Sequence, residues 1–116
     1  MIDYNGRKFR SVQNSGTGEV TPETIFHYHQ QGDIVWAEYS GGEIVRGQLL
    51  ARCDAEGRLD MRYQHINRAG ELMTGKCISI PETLPGGRIR LHEKWQWTSG
   101  DLSSGESVIE EMGEMA

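Results

Sequence analysis

The tightest constraint on this chain is its punctuation. Six turn signals, Gln31-Gly32-Asp33, Ser40-Gly41-Gly42, Asp54-Ala55-Glu56-Gly57, Asn67-Arg68-Ala69-Gly70, Pro85-Gly86-Gly87 and Ser99-Gly100-Asp101, cut it into short β-prone runs. Glycine supplies positive φ, and Asx side chains bond back to their own backbone, so these residues close hairpins. The two Asx-x-x-Gly turns read as one device used twice, a type I turn ended by glycine in the left-handed region. Amphipathic helices have no room between such turns. A helix over 43–66 would need apolar residues at three and four spacing, but Gly47 and Gly57 interrupt it and charges fall on alternate positions.

Between the turns the pattern predicts strands over 7–12, 24–30, 34–39, 43–53, 59–66, 71–80, 88–98 and 106–111. Eight strands joined by hairpins are neighbours in space, and a twisted sheet of that size removes its two edges by closing. The expected fold is therefore all-β, an eight-stranded antiparallel up-and-down β-barrel, with residues 1–116 forming one domain. The longest predicted loop, 13–23, would lie across one mouth, and 112–116 lacks periodicity and reads as a frayed tail. Two strands show their inward face: Leu59, Met61, Tyr63 and His65 alternate with polar residues in the fifth, as do Ile89, Leu91, Glu93, Trp95 and Trp97 in the seventh. The second strand is ambiguous, with the reading leaning to Phe26 and Tyr28 inside.

A net charge of −5, with basic residues scattered among acids, excludes the clustered cations that displace counterions from nucleic acid. No apolar run approaches the roughly 20 residues of a spanning helix, and the basic residues near the start are not followed by a leader-like apolar segment. The expectations are no membrane partner and a cytoplasmic location. Cys53 and Cys77 sit on separate strands without metal-like spacing and read as buried reduced thiols.

Glu93 is the most informative residue, because it occupies the otherwise apolar face of the seventh strand. A carboxylate out of water must pair, stay protonated or face a wet cavity. One reading pairs it with an inward Arg or Tyr that fixes the register; the other makes it a ligand-orienting group or proton acceptor on a cavity wall. Trp95 and Trp97 share its face, and with Tyr63, Met61 and Tyr28 they could wall a pocket for a small apolar or aromatic ligand or fill the core outright. His27 and His29 have a spacing that metal sites on strands use, with His65, His92 or a carboxylate completing the shell, but no metal is expected from so exposed a face. The glycine segments lack dinucleotide and phosphate-loop patterns, and the serines lack a nucleophile elbow, so no cofactor is expected. Three functional readings stand: a small-molecule binding module, an enzyme with Glu93 as general acid or base, and a filled barrel acting through contacts, with a homodimer as one form.

The segments Tyr4-Asn5-Gly6-Arg7-Lys8-Phe9-Arg10, Tyr39-Ser40-Gly41-Gly42, Leu59-Asp60-Met61-Arg62-Tyr63, Gly70-Glu71-Leu72-Met73-Thr74-Gly75 and, most specifically, the run 90–101 (RLHEKWQWTSGD) resemble a family of small bacterial proteins. That family has avidin-like or lipocalin-like (calycin-type) barrels and often carries the name N-acetylglutamate synthase. The resemblance implies the same barrel and carries over no catalytic residues. Acetyl transfer from coenzyme A in the usual synthase needs a helix start that cradles the pyrophosphate, with Gln or Arg followed by x-x-Gly-x-Gly or Ala, and the sequence has no such motif.

Overall fold

The computed structural model describes residues 2–113. They form eight strands: β1 (Lys8–Asn14), β2 (Ile25–Gln31), β3 (Ile34–Gly41), β4 (Ile44–Cys53), β5 (Leu59–Asn67), β6 (Leu72–Thr83), β7 (Ile89–Trp97) and β8 (Ser104–Glu111). Each pairs antiparallel with the next, and β1 closes on β8 with Phe9 opposite Glu111 and Asn14 opposite Ser107. The result is the closed up-and-down barrel that the hairpin rhythm predicts.

Both Asx turns use the same hydrogen bonds. The Gly57 N–H donates to the Asp54 carbonyl at 3.0 Å and the Gly70 N–H to the Asn67 carbonyl at 2.9 Å, with φ of +82° and +80° at the two glycines. In the first turn the Asp54 carboxylate also accepts the N–H groups of Glu56 and Arg58, at 3.0 and 2.9 Å.

Four strand ends differ by two or more residues from the sequence-based boundaries: β3 runs on to Gly41 past a register irregularity after Tyr39, and the other three also have local reasons. β6 continues through Pro81 to Thr83, because β5 pairing ends at Leu59 opposite Ser79 and a proline beyond that point has no strand on one side. β8 starts at Ser104, close behind its turn. β1 runs on to Asn14 through a bulge between Ser11 and Gln13, where Val12 and Gln13 both face outward. A bulge inserts one residue and reverses the facing of the residues after it, so Asn14 turns toward the interior although simple alternation from Phe9 and Ser11 would send it out. Of the expected frayed tail, 114–116 lie outside the described residues, while the Met112 N–H is tied to the Lys8 carbonyl at 2.8 Å.

The two ends of the barrel are finished differently. At the end bearing the β4–β5 hairpin, Tyr4 is completely buried, its hydroxyl donates to the Gly57 carbonyl at 2.6 Å, and its N–H donates to the Gln30 side chain at 2.8 Å. Phe9 and Tyr28 stack behind it with ring centroids 4.8 Å apart, and Leu59, Ile89 and Leu91 complete a solid plug. Each such ring buries roughly 150–250 Å², a gross transfer gain of about 4–6 kcal/mol before conformational entropy is subtracted. Residues 15–24 cross the opposite mouth.

Inside, three glycines lie directly across from large rings: Gly47 faces Tyr39, Gly75 faces Tyr63, and Gly105 faces Trp95. A Cβ on Gly47 would stand 2.5 Å from the Tyr39 ring, and Cβ atoms on Gly75 and Gly105 would run into the Tyr63 and Trp95 rings. The rings thus lie against bare backbone instead of projecting to the barrel axis.

The turn glycines give a test of this reading. Gly70→Ala meets no atom within 4 Å, so only the left-handed backbone opposes it, at about 1–2 kcal/mol. Gly57→Ala adds contacts at 2.9 Å to Ile2 and 3.3 Å to Pro81 and should cost more. Urea denaturation of both variants measures the order. A loss of only a few tenths at Gly70 would contradict the left-handed assignment.

Candidate functional site

Between the plug and the crossing segment lies a cavity of ≈ 60 Å³. At about 30 Å³ of liquid volume per water this is space for roughly two waters, or a molecule of about two or three heavy atoms. β7 contributes Glu93, Trp95 and Trp97, and β5 contributes Met61, Tyr63 and His65. Phe26, Tyr39, Leu49, Cys77 and Ser107 close the wall from β2, β3, β4, β6 and β8, and Asn14, Gly18, Glu19 and Val20 form the roof. The rings meet edge-on or tilted: Trp97 is 5.7 Å from Trp95 and 5.8 Å from Tyr63 between centroids.

Glu93 stands at the inner end. Register places Ser79 of β6 and Ser107 of β8 directly beside it, and their hydroxyls donate to its two oxygens at 2.7 and 3.1 Å. The inward Arg or Tyr partner that the sequence offered as one reading is replaced by two serines, because inward alternation in the flanking strands brings small residues to that level. Glu93 is partly exposed and lines the cavity. Among the described residues, no Lys or Arg lines this space. Burial accordingly pushes the Glu93 carboxyl up from 4.5 to about 7, against the opposing pull of the two serine hydrogen bonds. Burial, reinforced by Glu93, also pushes the Cys77 thiol well up, so it offers no thiolate near neutrality. The phenols of Tyr39 and Tyr63 are raised chiefly by burial and stay protonated.

The roof is latched to the wall. His65 Nε2 lies 2.7 Å from the Glu19 carboxylate and its Nδ1 lies 3.0 Å from the Tyr39 hydroxyl; a proton on Nε2 satisfies both contacts. The Asn67 amide donates to the other Glu19 oxygen at 3.0 Å. The Trp95 indole donates to Asn14 Oδ1 and the Trp97 indole to Thr17 Oγ1, each at 3.1 Å. Trp97 is therefore tied at its polar edge to the segment that covers the mouth, and Trp95 to the end of β1, where the Asn14 amide donates to the Val20 carbonyl of that segment at 3.1 Å.

A family model described as avidin-like protein matches residues 2–112. The chain belongs to the avidin-like family. No curated protein and no solved structure matches it significantly.

In this avidin-like barrel, five of the six sequence-selected residues, Glu93, Trp95, Trp97, Tyr63 and Met61, surround one cavity. Tyr28 does not: it points inward but belongs to the plug, and its hydroxyl has no hydrogen-bond partner among the described residues. The histidines are dispersed. His29 stacks on Trp36 on the outside, with centroids 5.4 Å apart, and bonds Glu38 at 2.8 Å; His92 bonds Glu82 at 2.8 Å; His65 is interior; His27 is exposed. Cys53 and Cys77 are both buried and free. Sequence reasoning passed over Ser79 and Ser107, although alternation from Cys77 and Ile109 would have placed them inward. Asn14 was hidden by the bulge, and Glu19 lies in a loop with no periodic signal.

The Glu93 carboxyl makes stability depend on pH. Its folded pKa of about 7 is above the 4.5 of an ordinary glutamate, so the folded state holds its proton longer than the unfolded one. Stability from this group is full below about 4.5 and is lost as pH rises toward 7, by about 3 kcal/mol in all. Glu93→Gln cannot titrate. Chemical denaturation between pH 5 and 8 should show the stability difference shifting in favour of the variant as pH rises. A constant difference would contradict the burial of an unpaired carboxyl.

Proposed function

We propose that this avidin-like protein is a small-molecule binding module, holding a compact ligand with apolar or aromatic character between Trp95, Trp97 and Tyr63 and orienting it with Glu93. The observation that carries this reading is a carboxyl on the wall of a largely apolar, ring-lined cavity, held by two serines and by no cation. A carboxyl in that position costs stability and returns nothing to the fold that two serines and an apolar residue would not supply. A polar group aimed into a largely apolar concavity is the arrangement by which small-molecule sites fix orientation. Entry by lifting residues 15–24 breaks the bonds of Glu19 and Thr17 to the wall and the bond of the Asn14 amide to the Val20 carbonyl. The same carboxyl midpoint near neutrality favours general acid–base chemistry as a second reading, distinguished by turnover of the bound molecule.

Native mass spectrometry after incubation with a small-molecule extract of cells, compared with the denatured mass, tests the binding reading. The expected result is an added mass present only under native conditions, with occupancy reduced about tenfold in Glu93→Gln, since a hydrogen bond to a charged group is worth about 1.5–3 kcal/mol. A bare mass in both states would contradict it.

A further inference from the structure

Resting on that reading, we infer that the ligand is a compact organic cation: a small apolar body carrying a protonated amine that docks on Glu93 within the aromatic walls. The charge of the cavity lining points that way first. Its two ionisable carboxyls, Glu93 at the inner end and Glu19 at the roof, are acids, and among the described residues no Lys or Arg lines it. His65 is engaged by Glu19 and Tyr39 and is not free to neutralise Glu93.

Glu93 has acceptor capacity left over. Each of its oxygens takes one serine proton, from Ser79 at 2.7 Å and Ser107 at 3.1 Å, whereas a carboxylate offers about four acceptor sites. The unused lone pairs are on a group that lines the cavity. An ammonium there would form charge-assisted hydrogen bonds of about twice ordinary strength.

The walls suit the rest of such a ligand. The indoles of Trp95 and Trp97 and the ring of Tyr63 form a chain with 5.7 and 5.8 Å between successive centroids, and both indole N–H groups are turned away to Asn14 and Thr17, so the rings present π surface, not donors. Aromatic surface attracts a desolvated cation by up to about 2 kcal/mol. A carboxylate ligand finds the opposite: two like charges and no lining cation. With ≈ 60 Å³ available, the occupant is limited to roughly two or three heavy atoms beneath the roof.

The test uses two probes of equal shape, methylammonium and methanol, titrated into the full chain while the indole N–H signals of Trp95 and Trp97 are followed by NMR. The expected result is saturable movement of both signals by the ammonium, with the alcohol at least about tenfold weaker, and loss of that preference in Glu93→Gln. The comparison between probes in the wild-type protein stands even if the variant folds poorly. Equal or tighter binding of the alcohol would overturn the cation assignment while leaving the cavity as a binding site. If neither probe moves the indole signals at tens of millimolar, the binding reading itself falls, and this inference with it.

Discussion

The interior of this barrel depends on three ring-on-glycine contacts. Tyr39 over Gly47, Tyr63 over Gly75 and Trp95 over Gly105 are direct cross-strand pairs, and in each the missing Cβ is what lets the ring lie back against the strand. An eight-stranded barrel is just wide enough inside for side chains to fill it or for one small ligand to enter. Near Tyr4, Phe9 and Tyr28 the side chains fill it; where the rings rest on glycine, they do not. The question whether the barrel is packed or open thus has a different answer at each end. One end is a hydrophobic plug that supplies stability, and the other is a chamber that the plug can support.

Glu93 sits at the boundary between the two. Its two serines satisfy a carboxylate with neutral donors and bring no compensating charge, so burial is only partly offset and the carboxyl midpoint rises toward neutrality. A fold selected for stability alone would gain from an apolar residue at this level. Retaining the acid there, with aromatic surface on one side and a latched roof above, is the pattern expected when a local cost is tolerated for function.

Much of this was legible in the sequence, and the rest was hidden for physical reasons. Turn chemistry located every strand, because Gly, Asn and Asp are needed at fixed points of a hairpin. Period-two alternation placed Glu93, Trp95, Trp97, Met61 and Tyr63 inside and together, since residues on one face of adjacent hairpin-linked strands share one interior. Alternation does not report depth along the barrel axis, so Tyr28 was assigned inward correctly yet joins the plug. The bulge in β1 breaks the alternation that would have exposed Asn14, and Glu19 reaches His65 across 46 residues of sequence from a segment with no periodicity. Of the readings open for Glu93, an inward Arg or Tyr partner does not occur, because the neighbouring strands deliver serine at that register.

The most direct measurement is the titration of the Glu93 side-chain carboxyl by carbon-13 NMR in the ligand-free protein. A cation-free carboxyl withdrawn from bulk water on the cavity wall titrates with a midpoint near 7. A midpoint near the ordinary 4.5 would mean that Glu93 is solvated or paired, and that the barrel holds no cation-free, water-poor cavity at this level.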